Sequence, residues 1–114
     1  MKKWLLIANG LYDVVCAFCT ICAPETSIHL TCFIKEEVRQ DPMIRRLLAY
    51  WIATYGLVRL HAGIAGECYG IAAATYFVEC ASYGLEMRYS EMIPWKASFV
   101  SASCALIGAW MLIY

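Results

Sequence analysis

The sequence predicts an all-α fold, an integral membrane four-helix antiparallel bundle forming a single transmembrane domain over residues 1–114. Three observations predict it. The chain has 114 residues, 62% of them hydrophobic, with a mean hydropathy of +0.60; a soluble domain of this size buries only roughly two-thirds of its chain's surface, too little to hide so much apolar area. Four apolar stretches recur, each close to the ~20 residues that a helix needs to cross the ~30 Å hydrocarbon core of a bilayer. Turn and breaker residues fall between them: Pro24 after the first, the small-residue run from Ala62 to Gly66 between the second and third, and Pro94 before the fourth.

The expected helices are residues 4–23, 43–66, 67–87 and 95–114. The first reads WLLIANGLYDVVCAFCTICA; Asn9, Gly10 and Asp13 interrupt it too early for a signal-peptide core, so it reads as a span. Pro24 ends it, because proline removes a helix hydrogen bond. Residues 25–40 are the most polar part. Ile28, Phe33, Ile34 and Val38 share part of one face, opposite Lys35, Glu36 and Arg39, the pattern of an interfacial helix lying on the membrane or, equally, of a solvated loop. Asp41-Pro42 opens the second span, a capping carboxylate followed by proline in the first turn. The second and third spans are back to back, so they are expected to form a tight antiparallel hairpin turning in the run Ala62 to Gly66. The fourth carries Ser98, Ser101, Ala102, Ser103, Ala105 and Gly108, small residues that let helices approach closely in lipid. Lys2 and Lys3 stand on one side, and Lys35, Arg39, Arg45, Arg46, Arg88 and Lys96 on the other, which favours the loop side as cytosolic.

Composition excludes several functions. Net charge is zero, so no basic surface for nucleic acid is indicated. The seven cysteines are odd in number and lie mostly in apolar stretches, unlike a secreted disulfide framework. Neither a phosphate loop nor H-E-x-x-H nor G-x-S-x-G occurs. The chain reads as no enzyme, with no cofactor and no metal.

The residues that attract attention are charges inside the spans: Asp13, Arg59 and Glu79. At 1.5 Å per residue, Asp13 and Glu79 lie about 15 and 18 Å from one face of the membrane, and Arg59 about 9 Å from it, with a side chain long enough to reach inward. An intramembrane polar cluster of the three is expected. It reads either as an ion pair holding the helices together or as a site for a ligand or proton. His61 and Glu67 sit nearer the surface, where snorkelling is easy. Cys16, Cys19 and Cys22 form C-x-x-C-x-x-C, and Cys22 with His29 and Cys32 has no standard zinc spacing; packing is the favoured role. Trp4, Tyr89, Trp95 and Tyr114 mark span ends, while Trp51, Tyr55, Tyr76 and Tyr83 are expected to pack inside.

Around the second and third spans the chain resembles the ergosterol biosynthetic protein 28 family, small four-helix proteins of the endoplasmic reticulum membrane. Arg46 opens the second span in RLLAYWIATYGLVR, with Trp51 and Arg59 following; ECASYG in the third holds Glu79, Tyr83 and Gly84; FVSASCALIG gives the fourth a similar small-residue texture. Thr75 stands where the family has a histidine, and the link between the two central spans is shorter. The resemblance covers roughly residues 46–112. It implies a non-catalytic scaffold that gathers sterol C-4 demethylation enzymes, with Arg46, Trp51, Tyr83 and Gly84 as its family-like motif.

The expected function is therefore a membrane scaffold of the endoplasmic reticulum serving sterol or lipid metabolism. Its partners are membrane lipids and other membrane proteins, sterol-synthesis enzymes among them, with a second copy of the chain as a further candidate. The alternatives are a small transporter or ligand-binding protein using the polar cluster, and a structural subunit of a larger membrane complex.

Overall fold

The computed structural model describes residues 1–26, 41–89 and 94–113. Among these residues it is all-helical, with four long helices and no strand: α1 (Lys2–Cys22), α2 (Pro42–Ala65), α3 (Tyr69–Tyr89) and α4 (Pro94–Leu112), with a 3-10 turn (Pro24–Thr26) after α1. The interfacial helix expected over residues 27–40 lies outside the described residues. Two helices, α1 and α4, are long and apolar enough to cross a membrane.

Local chemistry explains the helix ends. Asp41 caps α2, its Oδ1 accepting from the Met43 backbone N–H at 2.9 Å, with Pro42 in the first turn. Gly66 ends α2 in the left-handed region at φ 69°, its N–H bonded to the Ala62 carbonyl; glycine adopts this conformation without strain. Cys68 follows at φ 62°, a region that residues with a Cβ populate sparsely. The turn therefore spans Gly66 to Cys68, later than expected, and Ala62 to Ala65 remain helical. Alanine is the best helix former, and Gly63 serves packing instead of the turn.

The pairing of helices also differs from the expectation of a tight α2–α3 hairpin. The intimate pairs are α1 with α2 and α3 with α4; α2 and α3 make few close backbone approaches. Glycines decide this. A Cβ on Gly10 would lie 2.7 Å from the Leu60 backbone nitrogen, and one on Gly63 would lie 2.9 Å from that of Ile7. The α1 and α2 backbones thus touch, in antiparallel order. Between α2 and α3 stand Arg59, Trp51, Tyr76 and Tyr83, whose bulk holds the backbones apart. In the α3–α4 pair, Gly108 lies against the Phe77 ring, and the Ser101 hydroxyl donates to the Cys80 carbonyl at 2.8 Å.

The interior has three layers. One apolar cluster contains Leu6, Ala62, Ala72, Ala73, Tyr76, Cys104 and Met111, at the end where α1 starts. The other contains Cys16, Ala17, Leu48, Ile52, Tyr83 and Ala97. A polar layer of Asp13, Arg59, Thr75 and Glu79, all buried, lies between them.

The outer faces are apolar as well as the core. The buried stripe of α1 is Leu6, Gly10, Asp13, Ala17 and Thr20, at helical spacing. Its outer face carries Trp4, Leu11, Val15 and Phe18, all exposed. On α2 the outer face holds Leu47, Tyr50, Leu57 and Ile64; on α3 Ile71, Val78 and Leu85; on α4 Phe99, Leu106 and Leu112.

Candidate functional site: a polar layer between two helix pairs

Arg59 is the centre of the polar layer. It sits on the buried stripe of α2 at 1% exposure, one turn from Gly56 and one from Gly63. Its Nη1 donates to Asp13 Oδ2 at 2.8 Å and to Asn9 Oδ1 at 3.3 Å, both on α1. Its Nη2 donates to Glu79 Oε2 at 2.6 Å, and its Nε to Thr75 Oγ1 at 3.0 Å, both on α3. The structure thus brings Asp13, Arg59 and Glu79 together in two ion pairs that tie three helices. Charge-assisted bonds of this kind are about twice as strong as neutral ones.

Aromatic and thiol groups complete the layer. The guanidinium carbon lies 3.8 Å from the centroid of the Tyr76 ring, a stacking that offsets part of its desolvation. The Tyr76 hydroxyl donates to Asn9 Oδ1, and the Thr75 hydroxyl donates to the Ala72 carbonyl at 2.7 Å. From α4, the Cys104 thiol donates to Glu79 Oε2 at 3.3 Å. Each carboxylate gives one oxygen to Arg59. Asp13 Oδ1 and Glu79 Oε1 accept no hydrogen bond from the described residues.

A cavity of about 330 Å³ adjoins the layer. Asn9, Asp13, Arg59, Tyr76 and Glu79 form its polar floor. Tyr12 of α1, Tyr83 of α3, and Phe99, Val100, Ser103, Cys104 and Ile107 of α4 form its walls. Its volume falls at the lower end of the range for small-molecule sites, ~300–1,000 Å³.

The other residues singled out in the sequence fall elsewhere. Trp51 is half-buried, stacked on Tyr83 at 5.9 Å between centroids and edge-on to Tyr55 at 5.3 Å. Tyr83 is buried and borders the cavity; Arg46 is exposed on the first turns of α2. Gly84 faces Ser101, and a Cβ there would meet its hydroxyl at an ordinary 3.6 Å. His61 and Glu67 are exposed. Cys16 is buried, Cys19 half-buried and Cys22 exposed, so the C-x-x-C-x-x-C run does not present one thiol face. His29 and Cys32 lie outside the described residues. Among the described residues no three His, Cys, Asp or Glu side chains converge as a metal site.

Sequence reasoning missed Asn9, Thr75 and Cys104 as members of the layer, and took Tyr76 for packing alone. A signal for them was present. Asn9 and Asp13 are four apart on α1, as are Thr75 and Glu79 on α3, and residues so spaced share a helix face. Comparison of the chain with protein-family models, with curated proteins and with solved structures finds no match.

Proposed function

We propose that the chain is a non-catalytic integral membrane protein of the endoplasmic reticulum that gathers membrane-bound enzymes of sterol or lipid synthesis. The observation that carries the membrane part of this reading is an apolar outer surface around a buried charged layer. Glycine, alanine and the charges Asp13, Arg59 and Glu79 face inward, while Phe18, Leu57, Val78 and Leu106 face outward. Contiguous apolar faces on all four helices are unfavourable in water and natural in lipid, where ionisable groups turn to the bundle interior and pair with each other. At 21 residues α1 is about 32 Å long, close to the thickness of a hydrocarbon core. The helices α2 and α3 are more polar; their charges are those of the buried layer and the helix ends, so α1 and α4 would shield them within the bilayer.

The scaffolding part rests on the resemblance to the ergosterol biosynthetic protein 28 family. The outward Leu57, Ile64 and Ile71 present apolar surface to lipid or to neighbouring membrane proteins. Two measurements test the proposal in turn. Alkaline carbonate extraction is expected to leave the chain in the membrane pellet, and a membrane-impermeant maleimide is expected to reach Cys22 and Cys68 from opposite sides. Release into the supernatant, or labelling of both from one side, defeats the four-span reading. Co-expression with sterol C-4 demethylation enzymes, followed by purification in mild detergent, is expected to recover them with the chain. Elution without any of them defeats the scaffold.

A further inference from the structure

The cavity beside the polar layer is more than a packing defect. Its floor is built from buried charged residues: Asp13 is 3% exposed and Glu79 8%. Two carboxylates there face a single guanidinium. Each keeps one oxygen, Asp13 Oδ1 and Glu79 Oε1, that accepts nothing from the described residues. A buried carboxylate oxygen gains from a hydrogen-bond donor, so the layer suits an occupant that donates to it. An occupant with positive charge would also balance the second carboxylate.

The walls specify the rest of the occupant. The cavity opens between α1 and α4, which make few close backbone approaches to each other. Phe99 on its rim is 70% exposed and Tyr12 42%. Phe99, Val100 and Ile107 supply apolar surface, and the Tyr12, Tyr83 and Phe99 rings are of the type that attracts an organic cation. A volume near 330 Å³ holds about ten waters or one compact organic molecule. We infer that this cleft binds a small amphipathic amine, its ammonium head between Asp13 and Glu79 and its apolar body toward Phe99 and Ile107. Its mouth lies on the outer, apolar side of the bundle, so in a bilayer the ligand would enter laterally from the lipid. This inference goes beyond the scaffolding role and does not depend on it: the same protein can be purified and titrated whether or not it gathers enzymes.

The test uses the full chain in detergent micelles and three probes of one shape: 1-aminoadamantane, 1-adamantanol and 1-adamantanecarboxylate, titrated by saturation-transfer NMR with empty micelles as the blank. The amine is expected to bind saturably, the alcohol about tenfold more weakly because it lacks the charge-assisted bond, and the carboxylate not at all. Glu79→Gln, which keeps the shape and removes one charge, is expected to weaken the amine about tenfold and leave the alcohol unchanged. Ser103→Phe, which narrows the cleft from α4 without touching either ion pair, is expected to abolish binding of both while the unliganded protein stays helical and monodisperse. Equal binding of amine and alcohol overturns the inference. So does an amine signal that survives Ser103→Phe, which would place it in the micelle, and so does the absence of saturable binding to folded wild-type protein.

Discussion

The two seams of α2 are built on opposite principles. Against α1, Gly56 and Gly63 bring backbone to backbone: a Cβ on Gly56 would lie 2.9 Å from Asp13 Cβ and 3.0 Å from the Gly10 carbonyl. Against α3, the same helix offers Arg59, Trp51 and Tyr55, and the helices meet through side-chain tips and ion pairs. The first seam gains dispersion from close contact, which is what associates helices where lipid removes the hydrophobic drive. The second gains charge-assisted hydrogen bonds in a buried layer and has space beside them. Adjacency in sequence therefore does not by itself set how tightly helices pack: α1–α2 and α3–α4 are close, while α2–α3 is not. Residue size on the facing stripes sets the spacing, and the cavity lies beside the polar seam, where α1 and α4 make few close backbone approaches.

The largest expected effect tests the polar seam. Arg59→Met leaves Asp13 and Glu79 buried without a cation. Removing one partner of a buried pair costs about 3–5 kcal/mol. The variant is expected to unfold at clearly lower temperature or denaturant than the wild type in the same detergent. Adding Glu79→Leu should restore part of that loss, because one unpaired charge leaves with its partner. If Arg59→Met is as stable as wild type, the ion pairs do not hold the two helix pairs together, and the contrast between the seams collapses.

A smaller effect is expected at the glycine seam. Gly10→Ala places a methyl 2.7 Å from the Leu60 backbone nitrogen and 2.8 Å from the Gly56 carbonyl, neither of which is a flexible side-chain end. Overpacking of this kind costs about 1–3 kcal/mol. Gly70→Ala is the control. A Cβ at Gly70 meets nothing within 4 Å, and Gly70 is the second residue of α3, so the variant should gain less than a helix interior's about 0.5–1 kcal/mol and be no less stable than wild type. Thermal unfolding of the pair side by side checks the sign of each. Equal behaviour would mean that the α1–α2 backbones are not in contact.

Much of this was legible in the sequence, for identifiable reasons. Apolar runs of fixed length between breakers give the four helices to within a few residues, and Asp41-Pro42 marks the start of α2 because its capping chemistry is local. Asp13, Arg59 and Glu79 stand out because charges in apolar runs are rare, and depth along a helix is simple arithmetic. The turn at Gly66–Cys68 was misplaced because Gly63, like Gly66, reads as a breaker, and only tertiary contact shows that Gly63 faces the backbone near Ile7. The pairing of helices was not legible, because it depends on which stripe of each helix faces which neighbour. The cavity was not legible either; its lining comes from all four helices.

The smallest expected effect lies in the α3–α4 seam, which resembles neither of the others. There Ser101 donates to the Cys80 carbonyl at 2.8 Å and lies 3.4 Å from the Cys80 thiol. The Cys80 carbonyl sits inside α3, so a helical N–H is available to it when the hydroxyl is gone. Ser101→Ala therefore leaves no buried carbonyl stranded, and the side chain it removes is small. Interhelical hydrogen bonds in membrane proteins average about 0.6 kcal/mol, and the loss should be of that order. Reversible unfolding in mixed micelles resolves a difference of this size when wild type and variant are measured together. A loss comparable to that of Arg59→Met would show that hydrogen bonding, and not the packing of Phe77 on Gly108, holds α3 to α4. The α3–α4 seam would then belong with the polar seam, on the side-chain half of the comparison.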